Sequence, residues 1–434
     1  MDTGLANVTL GSALAEARER YVAGNQASLA AHENATAVMP GGNTRTVLFH
    51  APFPLTMARG SGCRLWDADG HEYVDLLGEY TAGLYGHDNR VIRAAVDKAL
   101  DGGWNLGGHG VMEARLARLV VDRFPSIDLV RFTNSGTEAN LLAVATAVAV
   151  TGRQRVMVFD GGYHGGVLYF GGGGTPINAP YAWLLGTYND TAGAVALARA
   201  HAGELACILV EPMLGSGGCI PADAGFLQAL RDVATETGAV LVFDEVMTSR
   251  MSAGGRQARL GIVPDMTTLG KYIGGGMSFG AFGGRREIME RYDPRRADAL
   301  PHAGTFNNNV LTMAAGVAGL EGPFTAEVAE ALFVRGETLR GRLNLSCAGT
   351  LLQWTGLGSM MTAHFHVGPV DRPADVAGAD PGLRELFFFD MLDRGFYLAR
   401  RGMVALSLEV GEAEMEGFCD AVADFVEARG TLLR

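Results

Sequence analysis

Lys271 stands in a glycine-rich stretch, Thr267-Thr268-Leu269-Gly270-Lys271-Tyr272-Ile273-Gly274-Gly275-Gly276. The apolar run Ala239-Val240-Leu241-Val242-Phe243 lies upstream and ends in Asp244-Glu245-Val246, which sets Asp244 27 residues before the lysine. Each of the two groups falls just past the end of an expected strand. The amine can hold an aldehyde as a Schiff base. The acid can keep a pyridine nitrogen protonated, so that the ring accepts electrons. A lysine and an acid in these roles are what pyridoxal 5'-phosphate (PLP) chemistry requires.

Other groups fit around this pair, each with a plainer reading beside it. Asn134-Ser135-Gly136-Thr137-Glu138-Ala139-Asn140 follows an apolar run, Val130-Arg131-Phe132, and opens a helical one, Leu141 to Val150. Free N–H groups and small hydroxyls at a helix start make an anion cup, so Ser135, Gly136 and Thr137 could hold a phosphate. The same residues could be an ordinary helix cap. Tyr163, in Gly162-Tyr163-His164-Gly165, could stack on a flat ring or be a buried structural tyrosine. His164 is read as a hydrogen-bonded core residue with no acid–base role. Asp244 could be a helix cap, and a lone lysine is usually solvated. Lys271 gains a lowered pKa only if it is buried.

The elements that must position these groups are legible from periodicity. Leu129 to Phe132, Val156 to Phe159, Cys207 to Val210 and Val240 to Phe243 are short apolar runs, each followed by polar or glycine residues and then a helical stretch. This alternation predicts an α/β domain built on a parallel sheet. Ligands of such sheets sit at the carboxyl ends of strands, where Asp160, Glu211 and Asp244 fall. Before this region, Gly11 to Ala37 reads as helix. Leu55 to Gly60 and Arg64 to Gly70 read as strands around an Asp-Ala-Asp-Gly turn. After it, Gln353 to Gly356 and Leu406 to Leu408 read as strands, and Leu383 to Arg394 and Glu412 to Glu427 as helices. These ends predict a small α+β domain, with residues 1–72 contributing to it, 73–325 forming the large domain and 326–434 the rest of the small one.

Composition narrows the classes. The chain has 434 residues, is 48% hydrophobic and carries a net charge of -12, which speaks against nucleic acid and anionic membrane surfaces. Its 61 glycines cluster instead of repeating, as expected where tight turns and close backbone approach are needed. The Gly171 to Gly174 run reads as a flexible loop. Five scattered cysteines without CxxC spacing point to a reduced compartment, with neither a metal site nor a disulfide framework. Met1 to Leu5 shows no leader pattern, and the cytoplasm is the expected location. No GxGxxG opens the first strand–helix unit and no HExxH occurs.

Taken in order, Leu65-Trp66-Asp67-Ala68-Asp69-Gly70, Ser135-Gly136-Thr137-Glu138-Ala139, Tyr163-His164-Gly165, Asp244-Glu245-Val246, Gly270-Lys271 and Gly304-Thr305-Phe306 resemble the class III, fold type I, PLP-dependent aminotransferases. That class includes glutamate-1-semialdehyde aminomutase. The resemblance spans nearly the whole chain and implies a mainly parallel seven-stranded sheet. It implies that Lys271 is the Schiff-base lysine and that Asp244 partners the pyridine nitrogen. Tyr163 would stack on one face of the ring and Val246 pack on the other. Ser135, Gly136 and Thr137 would bind phosphate, and Glu211 would stand near the cofactor. Thr305 would reach the phosphate of a neighbouring subunit in a homodimer.

Within the class, Met39 to Phe49, Gly78 to Gly83, Lys271 to Gly280, His302 to Asn309 and Arg401 to Leu408 are most similar to aminotransferases of aromatic β-amino acids such as (S)-β-phenylalanine. This implies transfer to 2-oxoglutarate, with Arg45 and Arg401 as carboxylate binders. Which arginine takes which carboxylate is left open. Val47, Phe49, Tyr80 and Met403 are candidate pocket lining by position. The alternatives are an aminomutase acting on glutamate-1-semialdehyde, an ω-amine transaminase, and a PLP-binding protein without catalysis.

Overall fold

A computed structural model describes residues 9–434 of the chain. The reading of Met1 to Leu5, and the start of the 1–72 segment, lie outside the described residues. The central element is a sheet of seven strands: β1 (Leu129–Thr133), β2 (Arg155–Phe159), β3 (Ala182–Gly186), β4 (Leu205–Val210), β5 (Val240–Asp244), β6 (Met266–Gly270) and β7 (Gly280–Gly284). Their spatial order is β1-β7-β6-β5-β4-β2-β3. β7 runs antiparallel to both neighbours; the other pairs are parallel. The sheet is therefore mainly parallel, as expected. Every residue of β4 and β5 is buried, which is why these strands read as unbroken apolar runs.

Two strands of this sheet were not legible in the sequence. β7 is Gly280-Ala281-Phe282-Gly283-Gly284, a composition that normally marks a loop. Its glycines are steric: a Cβ on Gly280 would overlap the Ser135 carbonyl, and one on Gly283 would lie 2.7 Å from Ile127 Cγ2. β3 lies at the sheet edge and is partly exposed, so it lacks a continuous apolar run.

The chain ends fold around smaller sheets. Met57–Ser61, Arg64–Asp67 and Glu72–Asp75 form an antiparallel meander, and Phe396–Tyr397 joins it in parallel. The Asp67 carboxylate closes the turn by accepting from the N–H groups of Asp69 and His71 at 3.0 and 2.8 Å. Residues Gly11 to Ala37 form two helices, Leu10–Gly24 and Gln26–Thr36, broken at Asn25, whose Nδ2 donates to the Tyr21 carbonyl. The first helix packs on Pro381–Asp393, aided by the Arg18–Glu385 pair at 2.6 Å.

Leu352–Leu357, Met360–Phe365 and Met403–Ala405 form a second small sheet. The strand expected at Leu406 to Leu408 is therefore displaced to Met403–Ala405. Past Ala405 the chain leaves this sheet toward the large one. The Leu408 N–H donates to the Leu84 carbonyl, and the Leu406 carbonyl accepts from the buried guanidinium of Arg250. All five cysteines are free and buried. No helix among the described residues is long and apolar enough to cross a membrane.

Candidate active site

β5 and β6 run parallel with Asp244 opposite Thr268, so Asp244 and Lys271 leave the same edge of the sheet. Asp244 is buried, and three donors hold its carboxylate. Asn140 Nδ2 and His164 Nδ1 each lie 2.8 Å from Oδ2, and the Val246 N–H lies 3.0 Å from Oδ1. Asn140 is fixed in turn by the Thr268 hydroxyl, which donates to its Oδ1 at 2.7 Å. The sequence reading placed neither Asn140 nor His164 at this carboxylate. The available signal for Asn140 was its spacing of one helical turn from Gly136. For His164 it was adjacency to Tyr163 at a strand end.

Lys271 has φ of +58°, in the left-handed region that is costly for any residue with a Cβ. It keeps part of its surface exposed, yet its ammonium is lowered to about 8. Desolvation by burial is the largest cause, and the nearby Arg45 guanidinium is the next. Of the six non-glycine residues with positive φ among those described, four are Glu79, Tyr80, Thr81 and Lys271. Backbone strain of this kind, concentrated in one place, marks a site whose geometry the surrounding fold enforces.

The helix Gly136–Thr151 begins beside Val246. A Cβ on Gly136 would lie 3.0 Å from Val246 Cγ2, so a larger residue here would press on that side chain. The capping role is realised, since Ser135 Oγ accepts from the Glu138 N–H at 3.2 Å. The N–H groups of Gly136 and Thr137 find no acceptor among the described residues. Gly165 (φ +127°) lies against Thr137, where a Cβ would overlap its hydroxyl. A phosphate-sized anion is suited to such a cup. Gly165→Ala is therefore expected to weaken PLP binding by about tenfold or more, because displacement of Thr137 and backbone strain together cost about 1–3 kcal/mol. Spectroscopic titration of cofactor-free protein measures this, and an unchanged affinity would remove Gly165 from the account.

Glu211 is buried and accepts from the N–H groups of Tyr163 and Gly215, both at 2.9 Å. Burial pushes its carboxyl upward, and His164 opposes that shift. Tyr163 itself is 42% exposed, with a face available to a ligand. Arg45 and Arg401 converge on one ring: their guanidinium carbons lie 5.5 and 4.9 Å from the Tyr80 centroid. Arg45 also pairs with Glu79, a partner not foreseen from the sequence. Arg401 has no carboxylate among the described residues; its Nη2 meets Met403 Sδ at 3.2 Å. Tyr80, Val47, Phe49 and Arg401 line a cavity of about 310 Å³, while Met403 is buried behind it. Thr305 lies exposed on the loop before the helix Val310–Glu321. That loop is tied to the helix start by Asn134 Nδ2 donating to Asn307 Oδ1 at 3.0 Å.

These residues fit PLP. The held carboxylate, the left-handed lysine, the glycine-lined helix start and the half-exposed tyrosine lie around one sheet edge. Fold and site together define a transferase built for that cofactor. The chain belongs to the class III aminotransferases, whose family profile (Aminotransferase class-III) matches residues 49–171 and 187–384; it is a PLP-dependent aminotransferase. Over 431 residues it is 53% identical to the β-phenylalanine transaminase of Variovorax paradoxus, covering 99% of each chain. It is 38% identical over 391 residues to a glutamate-1-semialdehyde 2,1-aminomutase of Sorangium cellulosum, covering 86% of this chain and 89% of that one. A crystal structure of β-phenylalanine aminotransferase from Variovorax paradoxus matches with a TM-score of 0.97 at 54% identity, covering 98% of this chain and 99% of that one. An ω-transaminase from Sphaerobacter thermophilus matches with a TM-score of 0.88 at 36% identity, covering 93% and 98%.

Proposed function

We propose that the enzyme transfers the amino group of an aromatic β-amino acid, such as (S)-β-phenylalanine, to 2-oxoglutarate, giving a β-keto acid and glutamate in ping-pong order. The observation that carries this reading is the convergence of Arg45 and Arg401 on the Tyr80 ring beside Lys271. A guanidinium fork matches a carboxylate bidentately. The Tyr80 face, with Val47 and Phe49, offers an apolar wall for an aryl group. One pocket thus has both characters that the two substrates need. The similarity to the Variovorax paradoxus enzyme supports the same substrate class.

PLP, when bound, supplies an aldehyde to the donor amine and a ring that accepts electrons. The protein's residues do the remainder. Lys271 Nζ, its pKa lowered by burial, would serve as the base that takes the proton from the amine-bearing carbon of the donor. Asp244, held by Asn140 and His164, would keep the ring nitrogen protonated. Tyr163 and Val246 would pack on the ring, and Glu211 fixes the Tyr163 backbone. Ser135, Gly136 and Thr137 would hold the phosphate.

Thr305 contributes to the phosphate site of a second copy, so the functional unit is a homodimer. The exposed Phe306 beside it, and exposed Trp104, Leu106 and Val111, are apolar surface suited to such a contact. The acidic charge and reduced cysteines support a cytoplasmic location. The packing of Leu10–Gly24 on Pro381–Asp393 supports the division into 1–72 with 326–434 and 73–325.

The test is to incubate holoenzyme with a panel of β- and α-amino acids plus 2-oxoglutarate and to measure glutamate. Aromatic β-amino acids should lead. Isomerisation without glutamate would replace this reading by an aminomutase. Full activity with 1-phenylethylamine, which lacks a carboxylate, would remove the arginines from substrate binding.

A further inference from the structure

We propose that Arg384 binds the distal carboxylate of the oxo-acid acceptor, forming with Arg401 a clamp of two guanidiniums at the outer end of the substrate pocket. This rests on the reading of a dicarboxylate acceptor given above. The helix Pro381–Asp393 presents Arg384 and Glu385 to the 310 Å³ cavity that also holds Tyr80, Arg400 and Arg401.

The charges on this wall do not balance. Glu385 is the acid of the lining, and both its oxygens are taken: Oε1 by Arg18 at 2.6 Å and Oε2 by Arg400 at 3.5 Å. Arg384 has neither an acidic partner nor a hydrogen-bond acceptor among the described residues, and its Nε is buried. Arg401 likewise has no acidic partner among the described residues; its Nε is buried and meets no acceptor, and its Nη2 meets only Met403 Sδ. Burial, followed by the repulsion of Arg400 and Arg401, lowers the Arg384 pKa. Unpaired, partly desolvated cations are costly to a folded chain, and a structural role alone does not account for them. A carboxylate entering between the two forks would satisfy both. Arg45 differs, since Glu79 already pairs with it. The clamp distinguishes an acceptor with a second carboxylate from a monocarboxylate of the same length.

Calorimetric titration of the holoenzyme with glutarate, and with valerate as its monocarboxylate counterpart, tests this. The wild type should bind glutarate roughly tenfold or more tightly than valerate, as expected for a charge-assisted pair. Arg384→Gln should lose most of that preference, and Arg384→Lys should keep part of it. In steady state, Arg384→Gln should raise the KM for 2-oxoglutarate while kcat stays within about twofold. Its Tm should hold or rise, because a repelled cation has gone. The proposal is overturned if wild type shows no glutarate preference, or if Arg384→Gln keeps it. A lowered Tm with an unchanged preference would make Arg384 a structural residue instead. If glutarate binds through Arg384 but no glutamate forms from β-amino acids, the clamp stands and the substrate reading falls. If glutamate forms while Arg384→Gln binds glutarate normally, the substrate reading stands and the clamp falls.

Discussion

Lys271→Ala should lower turnover by roughly a thousandfold or more and abolish the visible absorbance of cofactor-loaded protein, because one amine serves both as anchor and as proton carrier. The substitution is clean at the backbone, since alanine meets the same left-handed strain at this position as lysine does. Lys271→Gly should be equally inactive yet more stable than Lys271→Ala by about 1 kcal/mol, measured by denaturant unfolding of cofactor-free protein. The amine also sets a pH signature. In cofactor-free wild type, its reaction with a small aldehyde should rise through pH about 8 and level above it, where an ordinary lysine would titrate near 10.5. The stability linkage has a definite sign. The folded state binds this proton less readily than the unfolded chain does, so this group's contribution becomes more favourable as pH climbs from about 8 to 10.5. Retention of turnover by Lys271→Ala would end the assignment.

Asp244→Asn should lower turnover by about a hundred- to ten-thousandfold, the range associated with placing a proton correctly. The mechanism is electrostatic. Asp244 is the buried negative charge on which Asn140 and His164 converge, and a neutral amide cannot hold a pyridinium proton at neutral pH. Packing is also affected. With its oxygen in the place of Oδ2 the amide still accepts from Asn140 and His164, but its NH2 then faces the Val246 N–H, a loss of about 1–3 kcal/mol. Two effects must therefore be separated. A PLP analogue methylated at the ring nitrogen carries its positive charge permanently. If Asp244 acts through that charge, the analogue should restore a large part of the activity of Asp244→Asn and little of any stability loss. Failure of the analogue to rescue an otherwise folded variant would assign Asp244 to structure alone.

Much of this site was legible because its parts are local. The proposed phosphate cup is a strand end, a small-residue turn and a helix start, contiguous from Asn134 to Asn140. The Asp244 strand is a buried parallel strand, and such strands announce themselves as apolar runs. The glycine strand β7 was hidden because its composition answers to Ser135 and Ile127, residues distant in the chain. The strand at Met403–Ala405 was misplaced because apolar residues continue past its end. There the Leu406 N–H still reaches Ser359, but its carbonyl accepts from Arg250 and the Leu408 N–H turns to Leu84, so the strand ends.

By itself the sequence determined the proposed catalytic pair, the order of the motifs and the α/β class. Each of these is written in residue type and short-range spacing, which local sterics and burial translate directly. Only the tertiary structure decided what surrounds the pair. Asp244 meets Asn140 across 104 residues and His164 across 80. Arg45 and Arg401 come from opposite ends of the chain to one tyrosine ring, and Arg384 faces a wall whose acid, Glu385, is already paired with Arg18 and Arg400. No periodicity records such distances. They follow from the register of strands and the seating of the chain ends on the large sheet, which fix where side chains remote in sequence end.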